Sequence, residues 1–176
     1  MHDLRQHLQQ NGFMTLDRST SLVEYEEAPP WVPNSLYQYL SQESTWLSLA
    51  CHAELPPVIV EGIRVLNAET GPSVRIDFLH AAAVRMQMWN GDAPDGHALV
   101  SLGLQKNCLY EVNNSSWIPV LARESAWKDA SRLRHFVCAF RTHVYEVAAD
   151  QLRWQVFDDP PPIALSRLNG PPPVWR

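Results

Sequence analysis

The run Arg134-His135-Phe136-Val137-Cys138-Ala139-Phe140-Arg141-Thr142-His143-Val144-Tyr145-Glu146-Val147-Ala148-Ala149 decides the fold. It holds no Gly or Pro, is dense in β-branched and aromatic residues, and turns polar around Arg141-Thr142. That is the signature of two strands joined by a tight turn. With Arg141 and Thr142 at the turn, Phe140 faces His143, Cys138 faces Tyr145 and His135 faces Ala148. Phe136, Cys138 and Phe140 then share one face, and Val137 and Ala139 the other. Both faces are apolar, so the hairpin is expected at the centre of the protein.

Outward from this hairpin the period-two pattern recurs. Leu47, Leu49, Cys51, Ala53 and Leu55 alternate with Trp46, Ser48, Ala50, His52 and Glu54, as in a half-buried strand. Further strands are expected over 58–66, with its phase broken at Gly62, and over 73–80, 81–89, 97–105, 108–112 and 152–157. The stretch 81–89 also fits a helix; strand is preferred. Leu4 and Leu8 lie one helical turn apart before Asn11-Gly12, and Leu36, Tyr39 and Leu40 share a helical face after Pro33. Two short N-terminal helices are therefore expected, over 3–10 and 33–42, with an irregular crossing segment over 17–33. Ser115 or Ser116 caps a third helix near 115–125, with Pro119 in its first turn.

The fold class expected is thus α+β: a mainly antiparallel sheet of about seven or eight strands, free to curl toward a half-barrel, with those three helices. No internal repeat or flexible linker divides the chain. Residues 1–157 read as one globular domain. The segment 158–176, with six prolines, reads as an extended tail, since Pro cannot donate to a ladder.

Composition narrows the function. Fourteen basic residues face nineteen acidic ones, for a net charge of -5. Nucleic-acid binding draws its affinity from Lys and Arg on phosphates, so no nucleic-acid partner is expected. The polar start Met1-His2-Asp3-Leu4-Arg5 lacks the apolar core of a signal peptide. No run approaches the roughly 20 apolar residues of a membrane span. A cytoplasmic protein with no membrane partner is the expectation. The three cysteines, Cys51, Cys108 and Cys138, are far apart in apolar surroundings and read as free buried thiols.

The motifs of common enzymes are missing. There is no Gly-x-Ser-x-Gly elbow, no phosphate loop and no dinucleotide fingerprint. Among the seven histidines the best metal trio is His135, His143 and Glu146. The hairpin count puts His143 and His135 at opposite ends and on opposite faces, so no metal is expected. His80 and His97 are a second pair that could meet across neighbouring strands, but nothing in the spacing demands it. Glu146, between Val144-Tyr145 and Val147-Ala148, is a candidate acid or base if burial raises its pKa; a solvent-facing or salt-bridged carboxylate is the plainer expectation. No catalytic residue, metal or cofactor is assigned.

Seven tryptophans remain, a residue enriched at binding hot spots. Trp89 stands beside the loop 90–96, where Asp92 and Asp95 add negative charge and Gly91, Pro94 and Gly96 shape a turn. Trp89, Asp92 and Asp95 are the candidate partner surface, suited to a basic partner. A non-catalytic protein acting through protein–protein binding is the function expected. The alternative is a barrel-like binder of a small apolar ligand, with Phe78, Met86, Met88 and Trp89 lining its cavity.

The span 114–148 carries Asn114-Ser115-Ser116-Trp117, then His135-Phe136 opening a strand, then Tyr145-Glu146-Val147 closing the hairpin. It resembles a pattern in small bacterial proteins, some of them immunity-like. The resemblance implies a fold signature, with Ser115 and Trp117 packing a helix against the hairpin, and no activity.

Overall fold

A computed structural model describes residues 16, 18–25, 29, 38–43, 46–53, 58–60, 63–65, 72–88, 97–124 and 130–161. In chain order the strands are β1 (Ser21–Glu24), β2 (Gln38–Glu43), β3 (Trp46–His52), β4 (Val58–Val60), β5 (Ile63–Val65), β6 (Ser73–Leu79), β7 (Ala83–Met88), β8 (Cys108–Asn113), β9 (Arg134–Ala139), β10 (His143–Ala149) and β11 (Gln151–Phe157). The α-helix α1 (Trp117–Glu124) follows β8, and short 3-10 turns lie at Ala98–Leu102 and Ala130–Arg132.

The strands form two main sheets. One has the order β1-β8-β9-β10-β7, the other β11-β6-β3-β2, and β4 with β5 makes a separate ribbon. All the strand pairs are antiparallel. Each main sheet has two edges, so neither closes into a barrel. The hairpin register is the one its sequence predicts, with Cys138 opposite Tyr145 and His135 opposite Ala148. Phe140 N–H donates to His143 O at 2.8 Å and closes the turn.

One two-stranded ribbon belongs to both sheets. β10 pairs with β7 and runs on into β11, which pairs with β6. Between Ala148↔Ala83 and Gln151↔Leu79, residues 80–82 on one strand oppose 149–150 on the other. That extra residue is a bulge, and His80 there adopts φ 52°. A bulge sharpens the twist, and here it marks where the ribbon passes from one sheet to the other. Asp150 N–H donates to Leu79 O and Ala82 N–H to Ala148 O across the junction.

The main core lies between the sheets. Leu47, Leu49, Cys51, Val74, Ile76 and Phe78 of one sheet meet Leu109, Phe136, Cys138, Tyr145 and Val147 of the other. A second core lies on the opposite face of β8, β9 and β10, where Leu99 and Leu104 pack on Tyr110, Val112, Val137, Ala139 and Val144. The two apolar faces of the hairpin therefore serve two cores. Burial raises the thiol pKa of Cys51 to about 12 and that of Cys138 well above its ordinary value, as expected for inert core thiols.

Several expectations are corrected. The single sheet is divided in two, and β11 leaves the hairpin's sheet. Residues 38–42 belong to strand β2 and not to a second N-terminal helix, because the backbone of β3 takes β2 as its ladder partner. The helix expected over 3–10 lies outside the described residues. The irregular segment 17–33 contains strand β1, paired with β8. The run 58–66 doubles back as β4 and β5, with Val60 opposite Ile63, so the phase break at Gly62 marks a hairpin. The alternation over 97–105 is a 3-10 turn, stopped by Gly103 at φ 95°. A short apolar run serves either conformation, and the caps decide. The strand reading of 81–89 and the helix after Ser116 agree with the structure. At the start of the tail, Ser73 Oγ donates to Asp159 O and Pro161 is buried.

Candidate functional site

Two places in the fold carry unusual chemistry. The first is strand β7, an outer strand of the five-stranded sheet. Val84, Met86 and Met88 share one face. Val84 packs against the main core, whereas Met86 and Met88 are 58% and 63% exposed. Their neighbours on β10 are Tyr145 and His143. On the other face Arg85 stacks over the Trp117 ring at 4.3 Å.

The second place is a polar cluster within the otherwise apolar second core. His135 and Glu146 lie diagonally on one face of the hairpin, the face of Val137, Ala139 and Val144. His135 Nε2 is 3.0 Å from Glu146 Oε2. His97 approaches the other carboxylate oxygen, Nε2 to Oε1, at 3.5 Å. All three side chains are at least nine-tenths buried. The His135–Glu146 contact is close, yet neither atom completes an aligned hydrogen bond.

The outer nitrogens of both rings are occupied. Leu99 N–H donates to His97 Nδ1 at 3.2 Å, capping the 3-10 turn. A nitrogen that accepts is bare, so the His97 proton sits on Nε2 and points to Glu146. His135 Nδ1 meets Ser115 Oγ at 2.8 Å, and that oxygen also accepts Trp117 N–H at 3.2 Å. Trp117 sets its ring edge-on to His135 at 5.0 Å. The helix start is thus pinned to the hairpin by Ser115 and Trp117.

Burial pushes the Glu146 carboxyl pKa up, but the close polar contacts of His135 and His97 outweigh it and hold the pKa down at about 2. The direction is opposite to that of a buried general acid. Glu146 stays ionised because two rings surround it. The arrangement does not suit a metal either. Ligation through Nε2 needs a bare nitrogen there, and the Leu99 bond puts the His97 proton on it. Among the described residues no group of three His, Cys, Asp or Glu is placed to hold a metal ion.

Of the trio weighed from the sequence, His135 and Glu146 come together, while His143 faces the other way beside Thr142 Oγ1 at 2.8 Å. His80 and His97 do not meet. His80 pairs with Asp150 at 3.3 Å and His97 with Glu146. Trp89, Asp92 and Asp95 lie outside the described residues. The chain on either side of them is described: Met88 pairs with His143 and His97 contacts Glu146. Both ends of the 89–96 segment are therefore tied to β10. Phe78 belongs to the packed core, with its ring 6.0 Å from Phe136. Sequence reasoning missed His97 as a cluster member. Its signal was a His directly before a short apolar run, the position of a helix cap.

Comparison with protein-family models, with curated proteins and with solved structures gave no match. No helix among the described residues is long and apolar enough to cross a membrane.

Proposed function

We propose that the protein acts by binding another protein along β7 and the residues that follow it, Trp89, Asp92 and Asp95. The observation that carries this reading is the exposure of Met86 and Met88 on an outer strand. Such strands are normally blunted by Lys, Pro or inward-pointing charge. β7 contains neither Lys nor Pro, and its one charge, Arg85, is engaged with Trp117. A strand of this kind suits an added strand from a partner, with backbone bonds for affinity and alternate side chains for specificity. Methionine fills irregular contacts without strain. Asp92 and Asp95 favour a partner with basic residues beside its apolar ones. Met88 and His97, on either side of that segment, both contact β10.

The test is affinity capture from the native host with four baits. The wild type and Val23→Glu, on the opposite outer strand β1, should retain the same discrete protein. Met86→Glu/Met88→Glu and Trp89→Ala/Asp92→Ala should lose it. Retention by all four baits would refute the surface.

A further inference from the structure

We propose that His97 is an acid-released clamp: a second proton on its ring displaces the Leu99 N–H that caps the Ala98–Leu102 turn. The proposal goes beyond the partner surface and does not depend on it. Two groups pull on this one ring from opposite sides. Glu146 Oε1 faces Nε2 at 3.5 Å, and Leu99 N–H faces Nδ1 at 3.2 Å. While the ring is neutral both contacts are satisfied, with the proton on Nε2 and the lone pair on Nδ1. A second proton must sit on Nδ1, where it meets another donor. The carboxylate then holds the charged ring more tightly, so the ring stays and the backbone gives way.

His135 shows why the effect is particular to His97. Its outer nitrogen faces a hydroxyl, Ser115 Oγ, which rotates to accept or donate as required. A second proton there costs no backbone bond. Among the described residues, the charged and titratable groups around the site include Glu146 from β10, His135 from β9 behind the same carboxylate, Arg85 from β7 beyond Trp117, and Cys108 and Tyr110 from β8, which pack in the same core as Leu99. Glu146 remains ionised through the range in which histidines titrate, so it does not release the clamp first.

The segment held by this cap covers a core. Leu99 is fully buried, and Leu104 N–H donates to Leu99 O at 3.2 Å. A 3-10 turn has poor internal bonds, so losing the cap loosens the whole segment. Acid would thereby uncover the Val137, Ala139 and Val144 face of the hairpin.

The test follows the His97 ring nitrogens and the amide protection of the full chain by NMR from neutral toward acid pH. Protection at Leu99 and Leu104, corrected for intrinsic exchange, should fall on the order of fivefold to tenfold, as for a lost cap, in step with the His97 ring. Phe136 and Val147 should keep theirs. His97→Asn retains a capping oxygen but does not titrate, and its protection at Leu99 should be independent of pH. Leu99 protection that stays constant through the His97 titration would overturn the clamp. So would a His97 ring that takes no second proton before the whole fold opens, or a His97→Asn protein that behaves as the wild type.

Discussion

His135 Nε2 lies 3.0 Å from Glu146 Oε2 in the interior of the protein, diagonally across the central hairpin. Two strands that are otherwise apolar on this face each contribute one polar side chain, and His97 comes to the same carboxylate from the loop side. A buried charge is tolerated only when paired. The pairing ties β9, β10, the 3-10 turn and the start of α1 into one unit.

Stability should depend on Glu146 in acid. Its folded pKa is lowered from 4.5 to about 2. A lowered carboxylate contributes stability that is complete above the unfolded value and is lost as pH falls through the folded one. The window is therefore from about 4.5 down to about 2. The contribution is on the order of 3 kcal/mol at most. Denaturant titrations across that window should show a steep loss in the wild type and a shallower one in Glu146→Gln. Equal slopes would mean other carboxylates dominate acid unfolding.

Phe136→Ala should be severely destabilising. The ring is fully buried and lies between Phe78 at 6.0 Å and Tyr25 at 6.2 Å, where the sheets meet. Truncation there should cost on the order of 3–5 kcal/mol, read from the shift in urea midpoint. The amides of 134–149 should exchange only on global opening; fast exchange would remove the hairpin from the centre of the fold.

Ser115→Ala should cost about 1–2 kcal/mol. Its hydroxyl serves both Trp117 N–H and His135 Nδ1, and Ala leaves both without it. Ser115→Thr keeps the oxygen and should recover most of the loss. If Ala and Thr melt alike, the hydroxyl bridge contributes nothing.

Zinc should not stabilise the protein. Leu99 N–H on Nδ1 directs the His97 proton onto Nε2, so the nitrogen that faces Glu146 has no lone pair for a metal. Elemental analysis should find no stoichiometric transition metal, and added zinc should leave Tm unchanged. About one metal per chain would show that the cap yields to ligation.

Trp154 and Val156 on β11 remain part-exposed although they follow Leu152 on the core-facing side of the strand. Period two alone does not separate them from Leu152; position at the outer side of the sheet does. The same holds for Met86 and Met88, which continue the face of Val84. Alternation reports which side a residue faces, and only the stacking of the sheets reports whether that side is covered.

The hairpin 134–149, its register, the strand at 46–52 and the helix after Ser116 are legible in the order of the amino acids alone. Each rests on interactions between residues near in the chain: a tight turn, a two-residue period and a capping hydroxyl. Tertiary structure decided the division into two sheets, because the ribbon's single extra residue around His80 changes direction without leaving a pattern in the apolar residues. Tertiary structure also decided the polar cluster. The hairpin register alone puts His135 and Glu146 on one face, but His97 is far from both in the chain, and a His before a short apolar run fits strand or turn equally well. Burial then chose between them: an ionised carboxylate inside a core needs polar partners, and folding His97 over as a cap brings one to Oε1.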